Sequence, residues 1–164
     1  MNIYMIDESP RVVAKSVPDE VWERRLFDAV ELVSEGAAHW EGEEAMFICH
    51  DPKHSWVGWV KKSKFNWEWT VKYLAYLVTD LIKRGYVVSD EISSYSDYIN
   101  GEYGITPTIR TIPPRCVPRK FKMDDASIPN VFKAYREYIK SDARLHKMGN
   151  RNHAWLNEEE VCDE

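Results

Sequence analysis

Apolar side chains along this chain recur mainly at helical spacing, and one stretch dominates. Between residues 63 and 85, Phe65, Trp69, Tyr73, Leu77 and Leu81 return every four positions. Trp67, Val71, Leu74, Val78 and Ile82 lay a second stripe beside the first. Two adjacent stripes predict a helix covered by partners over much of its surface, and so a central one. Ser63 suits its N-cap, and Lys83, Arg84 and Gly85 suit its end.

Weaker patterns place the other elements. Residues 1–6 are a short apolar opening, readable as a stub of strand or as an extended tie across helices. Ser9-Pro10 reads as a cap and first helical position for a short helix over 11–15. Pro18, Asp19 and Glu20 open a second helix. Its apolar side is Val21, Trp22, Leu26, Phe27, Ala29, Val30 and Val33, and Glu35-Gly36 is its expected end. Residues 37–44 read as a loop, and 51–55 as a turn. Trp56, Trp59 and Val60 predict a short helix, and Ser89-Asp90-Glu91 predicts another running through Ile92, Tyr95 and Ile99. Pro107, Pro113, Pro114 and Pro118 forbid regular helix over 105–119 and predict an extended wrapping segment. Asp124, Asp125 and Pro129 precede a last helix striped by Ile128, Val131, Phe132, Tyr135, Tyr138 and Ile139.

The expected fold class is therefore all-α. One compact helical domain spans residues 1–155, and an acidic tail follows at 156–164. The Val17 and Pro129 helices are expected to pack on the long one, with the Pro-rich segment outside. At 164 residues and 44% hydrophobic, one such core is affordable. No apolar run is long enough to span a bilayer, and Asp7 and Glu8 interrupt the start where a secretory segment would need apolar residues. Cys49, Cys116 and Cys162 lack metal-ligand spacing and read as reduced thiols of a cytoplasmic protein.

Charge and aromatic content narrow the function classes. A formal net charge of −5 argues against an unaided duplex-tracking protein, though not against a local basic patch. Seven Trp and nine Tyr can fill a core or stack on bases and sugars. Lys61, Lys62 and Lys64 interleave with tryptophans. Arg110, Arg115, Arg119, Lys120 and Lys122 form a second basic region. Lys61, Lys62, Arg115 and Arg119 are the candidate nucleic-acid contacts. No phosphate-binding glycine loop or serine-hydrolase elbow occurs.

Three clusters are candidates for chemistry. Glu20, Arg24, Arg25 and Asp28 are either ordinary helix ion pairs, Glu20–Arg24 and Arg24–Asp28, or a carboxylate beside a guanidinium in a pocket. Ser63, Asn66 and Trp59 are either a capping network or a pocket for a base or sugar, because Asn66 on an apolar helix needs a partner. His50 and His54 stand four apart, but Pro52 between them favours a turn and a hydrogen bond near Trp56 over a metal site.

Two resemblances rest on these residues. Met1, Asn2, Ile3, Tyr4, Asp7 and Pro10, then His54, Trp59, Ser63, Asn66 and Trp69, then Thr106-Pro107 and Ala134-Tyr135-Arg136, resemble an uncharacterised helical family of phages and bacteria over residues 1–139. That family opens its helix with Asp-Lys-His where this chain has Asp19, Glu20 and Val21. The layout of short start, charged helix and long aromatic helix ending in Lys83-Arg84-Gly85 is also similar to the phage pyrimidine-dimer DNA glycosylase family. This second resemblance implies an N-terminal amine that attacks a sugar, a glutamate that assists, and basic residues that hold the duplex. Here the amine would be that of Met1, and the glutamate Glu20 or Glu23.

The leading expectation is a phage DNA-metabolism protein that acts on or binds a pyrimidine base or nucleotide in a glycosylase-like way. Asp19, Glu20 and Glu23 are the candidate catalytic carboxylates. Arg24, His54, Trp59, Ser63 and Asn66 are the candidate substrate contacts, with Trp59 stacking and no cofactor or metal required. The alternatives are a non-catalytic nucleic-acid or protein binder and a structural or host-takeover accessory protein.

Overall fold

The computed structural model describes residues 1–104, 109, 111–122 and 127–141. Thr106, Pro107, Arg110, Asp124, Asp125, His146, His153, Cys162 and the acidic tail lie outside the described residues. Within them the chain is all-α. The helices are α1 (Pro10–Lys15), α2 (Trp22–Trp40), α3 (Ser55–Lys62), α4 (Lys64–Lys83), α5 (Asp90–Tyr103) and α6 (Ile128–Ser141). Short 3-10 turns precede α2 at Asp19–Val21 and α6 at Arg119–Phe121.

The long aromatic helix is the axis. α4 packs against α1, α2, α3 and α5. Of its two stripes, Trp67, Trp69, Val71, Tyr73, Leu74, Leu77, Val78 and Leu81 are buried, while Phe65 and Ile82 at the ends are exposed. Ser63 is its N-cap in extended conformation, but its hydroxyl makes no capping bond. The Ser63 carbonyl instead accepts from the N–H groups of Asn66 and Trp67. The C-terminus closes as a Schellman-type cap: Tyr86 N–H donates to Leu81 O, and Gly85, at φ +84, donates to Ile82 O. A left-handed residue is required there, which is why the position suits glycine.

α2 runs further than its sequence suggests. Gly36 does not end it, and the helix continues to Trp40, where Glu41 N–H donates to Ala37 O and Gly42 at φ +71 turns the chain. Gly36 serves close packing instead. A Cβ at this position would lie 2.0 Å from Trp67 Cδ1. The indole fills that space and donates from Nε1 to Val33 O at 3.0 Å, which locks α2 onto α4.

Residues 1–6 form no strand. They run as an extended tie in which Ile3, Met5 and Ile6 are fully buried. This tie, rather than α4, is the main support of α6, which corrects the expected packing of the last helix. Tyr4 meets the rings of Tyr135 and Tyr138, each at 6.4 Å between centroids, and Arg136 Nε donates to Ile6 O at 2.8 Å. The physical reason is that α4's apolar faces are already taken by α1, α2, α3 and α5.

Candidate functional site

A cavity of about 620 Å³ opens where α2, the loop before α3 and the N-terminus meet. Met1, Glu23, Arg24, Phe27, Asp28, Glu31, His50 and Asp51 line it. Five of these come from α2 at helical spacing, so one face of a single helix builds most of the wall. The loop is stapled to that face by Glu31: His50 N–H donates to Oε2 at 3.2 Å, and His50 Nδ1 lies 2.5 Å from Oε1.

The N-terminus is held by a buried polar cluster. Asp28 Oδ2 accepts from Asn2 N–H at 2.9 Å and from Arg25 Nη1 at 2.8 Å. The same Arg25 nitrogen donates to the Asn2 carbonyl oxygen, and the guanidinium lies 5.1 Å above the Tyr4 ring centroid. The Asn2 side chain is fixed too, donating to Cys116 O and accepting from the Tyr135 hydroxyl. Burial pushes the Tyr135 phenol well above its ordinary pKa, so it remains a neutral donor. The Met1 amine is thereby placed 3.8 Å from Asp28 Oδ1 at the cavity wall.

Charge within the cavity is mixed but mainly acidic. Glu23, Asp28, Glu31 and Asp51 face the amine and Arg24. Such a lining disfavours a phosphate deep inside and favours a centre that becomes positive during reaction. Arg24 has no ion-pair partner among the described residues, so its guanidinium is available at the wall. The helix pair expected for it is formed by its neighbour: Arg25, not Arg24, meets Asp28. Phe27 is 48% exposed and brings an aromatic face to the lining.

The other residues singled out from sequence lie elsewhere. Asp19 and Glu20 sit in the 3-10 turn before α2 and do not line the cavity. Asp19 pairs with Arg84, which also reaches Asp80 at 3.5 Å and the Val17 carbonyl oxygen at 3.2 Å. Trp59 is 3% exposed, wedged edge-on between Trp56 and Trp69, so it cannot stack on a ligand as expected. Its indole N–H donates to Thr111 O at 3.1 Å. Asn66 is fully buried, and its amide donates to Trp59 O at 2.9 Å and Thr111 Oγ1 at 2.6 Å. Asn66 and Trp59 thus hold the Pro-rich segment against the junction of α3 and α4, and Ser63 caps α4 beside them. None of the three joins Glu20 and Arg24 in a pocket.

His54 is the N-cap of α3, where Nδ1 accepts from Trp56 N–H at 3.2 Å. Its pKa is lowered, first by burial and then by the nearby positive charge of the Met1 amine. Of the candidate nucleic-acid contacts, Lys61 is engaged with Glu35 at 2.6 Å, Lys62 and Arg119 are exposed, and Arg115 is half-buried. Among the described residues no group of three His, Cys, Asp or Glu is placed to hold a metal ion, and no helix is long and apolar enough to cross a membrane. Spacing alone does not join Met1, His50 and Asp51 to the α2 residues Glu23, Arg24, Phe27, Asp28 and Glu31, because three separate segments supply this lining.

No protein-family model, curated protein or solved structure matches this chain.

Proposed function

We propose that the cavity at the N-terminus binds a pyrimidine nucleotide unit and acts on its glycosidic carbon, as expected of a glycosylase-like DNA-metabolism protein. The observation that carries this reading is the Met1 amine set in a carboxylate-rich cavity beside Glu23 and Arg24. An amine is a nucleophile once it sheds a proton, and Glu23 or Asp28 is at hand in the lining to accept it. Attack at C1′ forms a C–N bond as the bond from C1′ to the base breaks. The departing base nitrogen is protonated by the carboxylic acid so formed or by water. The nitrogen then gives up its two remaining protons, one to a carboxylate or water and one to the ring oxygen as the sugar opens, which leaves an imine, and water hydrolyses it to free the amine and leave an abasic sugar. The cationic centre at C1′ during this sequence is what clustered carboxylates stabilise. Phe27, in place of the buried Trp59, offers the ring on which the base can lie, and Arg24 can meet a flanking phosphate or a base carbonyl.

The test is borohydride trapping with duplexes that carry an abasic site, a pyrimidine dimer or a modified pyrimidine. A reduced protein–DNA adduct is expected with the wild-type chain. Glu23→Gln should lower base release by about 10²-fold or more, the usual scale for losing a general acid–base group. Absence of any adduct with all three substrates would overturn the catalytic reading.

A further inference from the structure

A second cleft lies between α1 and the C-terminal half of α4. Its volume is about 470 Å³, and Arg11, Lys15, Tyr76, Thr79, Asp80 and Lys83 line it. Arg11 and Lys15 are one turn apart on α1, and the other four share one face of α4, so two helices turn their cations toward one space. This placement runs against the chain's own balance, in which acidic residues outnumber basic ones by 27 to 22. Among the described residues neither Arg11 nor Lys83 has an ion-pair partner, and Asp80 is shared with Arg84 at 3.5 Å. Asp80 offsets part of this positive charge, and the cleft still holds three cations to one carboxylate. The Thr79 hydroxyl donates to Ala75 O at 2.8 Å and so presents only lone pairs to the cleft, which leaves the cations and the Tyr76 hydroxyl as its side-chain donors. Tyr76, 38% exposed, adds an aromatic face beside them.

We infer that this cleft binds a phosphate group, with Arg11 and Lys83 as its principal ligands and Tyr76 against the organic part that the phosphate carries. A guanidinium and an ammonium lining one cleft are the groups that recognise phosphate oxygens. The cleft shares no lining residue with the N-terminal cavity, whose acidic interior suits a phosphate poorly. The two proposals therefore stand or fall separately. The phosphate can come from a free nucleotide or from a nucleic-acid strand, and chain length of the probe distinguishes them.

The experiment is an amide NMR titration at fixed ionic strength, with chloride compensating each addition. The probes are inorganic phosphate, thymidine 5′-phosphate, an oligothymidylate and, as control, thymidine. Saturable shifts of amides 11–15 and 76–83 are expected with the three phosphate-bearing probes and not with thymidine. Tighter binding of the oligonucleotide than of the mononucleotide assigns the site to a strand, and equal binding assigns it to a free phosphate ester; both support the phosphate assignment. The double variant Arg11→Gln, Lys83→Gln changes only exposed side chains and should weaken binding roughly 10-fold or more for each cation removed. Shifts no larger than those of chloride, or unchanged affinity in a double variant with the wild-type spectrum elsewhere, would overturn it.

Discussion

Gly36 gives the sharpest test of the packing that positions the N-terminal cavity. In an ordinary helix interior, Gly→Ala is stabilising by about 0.5–1 kcal/mol, because alanine loses less backbone entropy on folding. At Gly36 the new Cβ would lie 2.0 Å from Trp67 Cδ1, 2.5 Å from Nε1 and 2.7 Å from Cγ. The indole has nowhere to retreat: it is fully buried, its N–H is bonded to Val33 O, and Tyr103 lies 5.0 Å away between ring centroids. Overpacking of this kind costs about 1–3 kcal/mol, and displacing the indole loses a buried hydrogen bond of about 1 kcal/mol. The penalty outweighs the entropic gain, so Gly36→Ala should destabilise by about 2–3 kcal/mol, or lower Tm by roughly 5–10 °C. Gly58, inside α3, is the control, since nothing lies within 4 Å of a Cβ there. Gly58→Ala should raise stability by about 0.4–1 kcal/mol. Urea unfolding followed by tryptophan fluorescence measures both. Equal shifts of the same sign would refute the α2–α4 contact as described.

Asn66→Ala leaves Trp59 O and Thr111 Oγ1 without their donor in a buried place, for a loss of about 2–3 kcal/mol in urea unfolding. Thr111→Val on that background should add much less than it does alone, because the two share a bond. His54 gives a pH signature. Its folded pKa is below the unfolded value, so the unfolded chain binds the proton first; the stability from neutral His54 is present above about pH 6.5 and is lost as pH falls through the lowered pKa. Protonation also removes the Nδ1 lone pair that caps Trp56 N–H. His54→Asn keeps an N-cap that cannot titrate, so its stability relative to wild type should rise between pH 6.5 and 5. A difference that is flat with pH would contradict the cap.

The helices were legible because their periodicity is dictated by burial on α4, and the stripe from Trp67 to Leu81 shows this directly. Gly36 misled because a glycine reads as a helix stop, whereas here its missing side chain makes room for an indole 31 positions away. His54 near Trp56 was readable as a hydrogen-bonding partner, since a turn with proline precedes a helix there. Asn66 on an apolar helix face signals a partner, but its spacing does not distinguish a ligand from Thr111, which stands 45 residues on. The cavity was only half legible. Glu23 and Arg24 stood out on their helix, yet Met1, His50 and Asp51 reach them through the tie across the core and the staple at Glu31. Both are long-range contacts that no local pattern encodes.

The most direct test of a reactive amine in that cavity is site mapping with 2-deoxyribose, an aldehyde sugar that stands in for an abasic site and carries no phosphate, under cyanoborohydride. Peptide mass spectrometry after brief labelling at neutral pH should find the sugar on the α-amine of Met1 well ahead of any lysine, with Asp28→Asn reducing that preference. Labelling spread over surface lysines, with Met1 no faster than the rest, would contradict it.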